Sequence, residues 1–235
     1  MLEVNNLQVY YGQFQALRGM SFNVEENEVV VLMGPNGHGK STALRAIAGL
    51  ADVRGGEITF QGNRIDRKSP VEIVKMGVIL VPEGGHLFPE MTVQENLMMG
   101  AYNPEAWKKR NENLCKVFAL FSNLEEIEDR LCMKLSGGER RCVAVGRGLM
   151  SSAKILMLDE PTLGLAPMLA KNLAEKIKEI KDSGITIVLV EENMRYVSGL
   201  ADRIYLVQKG KVVLEGEADK VLQDSYFKEA YLGLK

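Results

Sequence analysis

Three short stretches carry residues whose types and spacing suit phosphate chemistry. The first, Gly34-Pro35-Asn36-Gly37-His38-Gly39-Lys40-Ser41 followed by Thr42, fits G-x-x-x-x-G-K-[ST] and lies between a β-type run and a helical pattern. Its glycines let the backbone wrap a phosphate with N–H groups, and the helix start adds a positive dipole. Lys40 can reach β- and γ-phosphates, and the Ser41 hydroxyl suits Mg²⁺. The second stretch, "ILMLDEP" (155–161), reads as a buried strand delivering Asp159 and Glu160 to its C-terminal end. Asp159 suits Mg²⁺ through water, and Glu160 suits polarising the water that attacks a γ-phosphate. Adjacent strand residues face opposite ways unless the strand ends between them, and Pro161 ends this one. The third stretch, "KLSGGER" (134–140), puts a serine and two glycines at a predicted helix start. That is again the layout of an anion site, so one chain holds two phosphate-binding helix starts.

Periodicity predicts the elements that place these residues. The first third alternates β-branched runs with turns: "LEVNNLQVYY", "MSFNVEENEVVVLM" and "GGEITFQGNRI" read as strands. Helical spacing of Leu44, Ile47 and Ala48 follows the glycine loop, with Gly49 as a stop. From about residue 90 to 150 the pattern is helical without strands, with a capping box at Thr92 and Glu95 and Pro104 in a first turn. Strand–helix alternation then resumes. The expectation is one α/β unit with a mostly parallel sheet covered on both faces and a helical insertion.

Composition excludes several classes. With 29 basic and 31 acidic residues, net charge −2, no basic face points to nucleic acid. "WKKR" (107–110) reads as a solvated helix face. No apolar run approaches the roughly 18 residues of a membrane span, and the start lacks the profile of a secretory signal. Cys115, Cys132 and Cys142 show no CxxC spacing and read as buried reduced thiols of a cytosolic protein. His38 is expected to point to solvent. His86 is expected near a partner surface, and neither histidine has metal-ligand companions. Met98, Met99, Met133 and Met150 read as packing of the helical region.

The glycine loop, "LSGGE" (135–139) and "LMLDEP", in that order, resemble the ATPase subunits of ABC transporters. The resemblance spans essentially the whole chain. It implies a P-loop NTPase fold with an N-terminal antiparallel β subdomain and an inserted helical subdomain. It divides the single domain into a core of residues 1–85 and 153–235 and a helical arm of 86–152. It further implies two ATPase domains facing head to tail, so that the phosphate loop of one and the signature serine and glycines of the other enclose one ATP. Ser136, Gly137 and Gly138 would therefore serve the partner's nucleotide. By the same resemblance Tyr11 stacks on adenine, with Tyr10 on the opposite side of its strand. Glu83 takes the place of a Mg²⁺-sensing glutamine, and Ala166 stands where an aspartate is common. The switch position usually held by histidine is Glu192.

The candidate set is therefore Glu160, Glu192, Ser136 and Gly138 for catalysis. Tyr11 and residues 34–42 would bind ATP, and Ser41, Glu83 and Asp159 would hold Mg²⁺. A glutamate at the switch position would repel a γ-phosphate, and its side chain is expected to swing away, Asn193 or water taking part of the contact. "EPTLGLAP", "VE.N" and the segment around Glu83 resemble the shorter ATPase subunit of branched-chain amino-acid importers, with the urea importer's ATPase as the near alternative. Implied partners are a second, longer ATPase subunit, two transmembrane permeases and, indirectly, a solute-binding protein, with the chain on the inner face of the cell membrane. A soluble ABC ATPase and a weakly hydrolysing regulatory module stay open as readings of another class.

Overall fold

A computed structural model describes residues 1–232 of the 235-residue chain. From the N-terminus it runs β1 (Leu2–Tyr11), β2 (Phe14–Val24), β3 (Val29–Met33), α1 (Lys40–Ile47), β4 (Val53–Phe60), β5 (Asn63–Arg64), α2 (Pro70–Lys75) and β6 (Val78–Val81). A helical stretch follows: α3 (Val93–Met99), α4 (Pro104–Lys108), α5 (Arg110–Leu120), α6 (Ser122–Glu125) and α7 (Gly137–Leu149). The chain then alternates β7 (Ile155–Asp159), α8 (Pro167–Asp182), β8 (Thr186–Val190), α9 (Met194–Val197), β9 (Arg203–Gln208) and β10 (Lys211–Glu217). It closes with α10 (Ala218–Gln223) and α11 (Ser225–Leu232).

An antiparallel sheet has the order β2-β1-β4-β5, and a second sheet the order β10-β9-β3-β8-β7-β6. Every pairing in the second sheet is parallel except that of β10 with β9. Strands β3, β7 and β8 are buried at every residue, as runs covered on both faces must be. The alternation of β3 divides the core. Val29, Val31 and Met33 join a cluster with Leu97, Phe118 and Ile177, while Val30 and Leu32 join Leu44, Phe60 and Tyr205.

Register does the positioning. Leu32 of β3 lies opposite Val190 of β8, and Val190 lies opposite Asp159 of β7. Three strand ends therefore stop side by side, and the segments after Met33, Asp159 and Val190 leave from one edge.

Several expectations change. "GGEITFQGNRI" is a hairpin, not one strand: β4 stops at Phe60, and Gln61 and Gly62 turn the chain at positive φ into β5. The helical pattern beginning at Pro104 breaks at Lys109, beside Arg110, which stacks on Trp107 at 4.4 Å and donates to its carbonyl. The cysteines are free, but only Cys132 is buried. Cys115 is exposed because Asn113, Leu114, Val117 and Phe118 form the inward face of α5. Cys142 is half-buried, and desolvation pushes its thiol up to about 11. Met150 and Met98 pack inward, but Met99 and Met133 are exposed.

Candidate active site

The phosphate loop is shaped by close approaches that only glycine tolerates. A Cβ on Gly34 (φ 150°) would lie 2.1 Å from the Val207 carbonyl oxygen, and one on Gly39 (φ 103°) 2.6 Å from Leu17 Cδ2. Gly39 caps α1, so Lys40, Ser41 and Thr42 form its first turn. Lys40 is only 3 % exposed, and its ammonium donates to Gly34 O at 2.6 Å, Pro35 O at 3.1 Å and Glu192 Oε1 at 3.0 Å. Asn36 Nδ2 donates to the other Glu192 oxygen at 3.2 Å. Glu192 is thus turned onto the loop. A buried ammonium needs a counter-charge, and this carboxylate supplies it. His38 is half-buried, and its Nδ1 is buried without a hydrogen-bond partner.

Ser41 Oγ donates to Asp159 Oδ1 at 2.8 Å, which joins the loop to the end of β7. Burial pushes the Asp159 carboxyl above its usual range, and the negative charge of Glu83 adds to this. Glu160 leaves the strand with φ 47°, and its N–H donates to Val190 O at 3.0 Å. β7 thus ends at Asp159, two residues before Pro161, and the left-handed Glu160 re-aims the second carboxylate. Burial raises the Glu160 pKa, and Glu192 is the next cause. Hydroxyl and carboxylate oxygens are the hard donors Mg²⁺ takes, so Ser41 and Asp159, with Glu83 nearby, fit that ion. Among the described residues no group of three or more His, Cys, Asp or Glu is placed to hold a metal.

Tyr11 is 45 % exposed, whereas Tyr10 is covered by the Arg54 guanidinium 4.9 Å from its ring centre. Only Tyr11 offers a face for stacking. At the other helix start, Ser136 caps α7: its hydroxyl accepts from Glu139 N, and the Glu139 carboxylate accepts from Ser136 N at 2.7 Å. Ser136 and Gly137 are exposed, while Gly138 is half-buried with a Leu169 methyl 3.1 Å from where its Cβ would be. Among the described residues no hydrogen bond or ion pair links 135–139 to 34–42. Ala166 is the N-cap residue of α8 and makes no side-chain cap bond.

Three residues escaped the sequence reading. Glu191 is buried and accepts from Thr162 Oγ1 at 2.6 Å and from the N–H groups of Glu192 and Asn193, both at 3.0 Å. It fixes the segment after β8 to the segment after β7. Arg147 of α7 donates to Gly85 O at 2.6 Å and His86 O at 3.0 Å, tying the signature helix to the loop that carries Glu83. Arg141 donates to Leu163 O at 3.4 Å, and its other terminal nitrogen is buried without a partner. The only signal was a basic side chain at an inward helical position. Glu160, Gly164, Glu191 and Glu192 line a cleft of about 640 Å³ beside this cluster.

The arrangement gathers a glycine loop with its buried lysine, a hydroxyl–carboxylate pair and a further carboxylate at one edge of the sheet. Comparison with known proteins gives the family. Residues 17–163 match the family model described as ABC transporter. The chain is 36 % identical to the high-affinity branched-chain amino acid transport ATP-binding protein BraG of Pseudomonas aeruginosa, over 99 % of this chain and 100 % of that one. It superposes with a TM-score of 0.85 on the ADP conformation of an ATP-binding cassette of an ABC transporter, at 32 % identity, covering 100 % and 99 % of the two chains. A dimeric bacterial ABC transporter cassette gives a TM-score of 0.79 at 26 % identity, over 93 % and 99 %. From the phosphate loop to the self-capped signature helix, the chain belongs to the ABC transporter family as one of its nucleotide-binding ATPase cassettes.

Proposed function

We propose that this ATPase energises an importer for branched-chain amino acids, working as one of two cassettes that face each other head to tail. The observation that carries the catalytic reading is the Ser41–Asp159 bond, which brings the phosphate loop and the end of β7 to one point. In this reading Lys40, the loop N–H groups and Tyr11 hold ATP, and Ser41, Asp159 and Glu83 hold Mg²⁺, whose chemistry is to offset charge on the phosphates. Glu160 polarises the attacking water. Ser136, Gly137 and Gly138 meet the γ-phosphate bound by the partner cassette, for which the exposure of Ser136 and Gly137 suits them. Glu192 faces the phosphate of this chain's own site.

The substrate reading rests on the likeness to BraG along its full length. The partners are a second, longer ATPase subunit, two permeases and a solute-binding protein, placing this chain on the inner face of the membrane. Among the described residues no helix is long and apolar enough to cross a membrane. Permease docking fits a groove of about 470 Å³ between β6 and the helical arm 86–152, with Leu50, Phe88, Met99 and Tyr102 exposed at it. The rest, 1–85 and 153–235, forms the nucleotide core.

The test is reconstitution with the permeases, the second ATPase and the binding protein. Leucine-loaded binding protein should stimulate phosphate release. Stimulation by urea and not by leucine would replace the substrate reading with the urea alternative.

A further inference from the structure

The Lys40 ammonium has three hydrogens, and all three are engaged: by Gly34 O, Pro35 O and Glu192 Oε1. The two carbonyls belong to a loop fixed between β3 and α1. The third acceptor is a side chain 32 % exposed, so it is the one an incoming anion can displace. Glu192 is also gripped at its second oxygen by Asn36 Nδ2, so the loop holds this carboxylate at both oxygens. The backbone behind it is anchored, because Glu191 accepts from the N–H groups of Glu192 and Asn193 and from Thr162. Glu192 therefore reaches the loop from a fixed base. Glu160, assigned to the attacking water, lines the same cleft as Glu192, and the charge of Glu192 is felt at its carboxyl.

Resting on the reading of this loop as the ATP site, we propose that Glu192 is a specificity-determining residue whose carboxylate competes with the terminal phosphate of a nucleoside triphosphate for Lys40 and Asn36. A γ-phosphate must displace it, and the displaced charge stays in the same cleft. A nucleoside diphosphate offers Lys40 only its β-phosphate and leaves the Asn36 contact to Glu192 in place, so it meets less of this competition. The residue thus biases the site toward the diphosphate and makes triphosphate binding conditional on displacing the Glu192 side chain from its anchored backbone.

The experiment measures affinities of the full-length chain for a non-hydrolysable ATP analogue and for ADP by calorimetry. It compares wild type, Glu192→Gln and Glu192→Ala, with melting temperatures to confirm folding. Losing one charge-assisted bond's worth of competition should tighten analogue binding about tenfold in both variants, with ADP altered less than about twofold. An unchanged ratio of the two affinities, or weaker analogue binding in Glu192→Gln, overturns the proposal. If neither nucleotide binds even the wild-type chain, the reading of the loop itself fails, a result distinct from an unchanged ratio.

Discussion

The two glycine-rich helix starts solve the same problem with opposite economies. At Lys40 the loop closes on itself: the cation is buried, bonded to two of its own carbonyls and countered by a carboxylate brought in by β8. At Ser136 the chain satisfies only its own cap, and Ser136 and Gly137 stay exposed with no hydrogen bond or ion pair to the first site among the described residues. A helix start complete within its chain binds a ligand alone. One that is capped but uncovered offers its amides and dipole to something outside. The difference teaches where each half of a shared site has to be.

The largest effect that probes this contrast is on hydrolysis. Glu160→Gln should leave nucleotide affinity within about twofold and slow phosphate release by about 10²-fold, the scale of lost general-base help. Binding and release measured on the same preparation check it, and equal loss of both would remove the division of roles. Next comes Lys40→Ala, which should weaken ATP binding by about 10- to 100-fold, as for a charge-assisted bond removed from a buried site. Titration of a fluorescent ATP analogue reads this directly.

Gly137→Asp sharpens the comparison from the other side. Nothing lies within 4 Å of a Cβ there, and an acidic residue in a first turn favours the helix. Melting temperature should hold or rise slightly while steady-state ATPase falls about tenfold or more, since the new charge meets the partner's phosphate. A parallel fall in stability would make the glycine structural. The smallest effect is at Tyr11: Tyr11→Ala should cost about five- to tenfold in ATP affinity, the lower range of aromatic stacking on a base, while Tyr10→Ala should leave affinity unchanged. Equilibrium binding of both variants decides.

The sequence carried far at the strand ends and less far across them. The phosphate loop, Asp159, the parallel sheet and the helical stretch were legible because each depends on local pattern: a motif between strand and helix, a buried run, a change of period. Even the Thr92–Glu95 and Ser136–Glu139 boxes are written within four residues. What stayed hidden depends on contacts between distant segments. The distance from Lys40 to Glu192 follows from β3 pairing with β8 and from a side-chain rotamer, and no spacing encodes a rotamer. The same holds for Arg147 reaching the carbonyls of Gly85 and His86, and for Glu191, which reads as a duplicate of its neighbour until Thr162 is seen beside it. Cys115 was misplaced for a different reason. A thiol is usually buried, and the inward face of α5 is set by Leu114, Val117 and Phe118 instead.

The central claim is that this chain's two phosphate-binding helix starts serve two different nucleotides, one of them held by another cassette. Sedimentation velocity of the Glu160→Gln chain, with and without MgATP, tests it most directly when repeated with Gly137→Asp added. MgATP should shift the first protein from monomer toward dimer, and Gly137→Asp should abolish that shift while ATP still binds. A dimer that forms without nucleotide, or one that forms equally well with Gly137→Asp, would contradict the account.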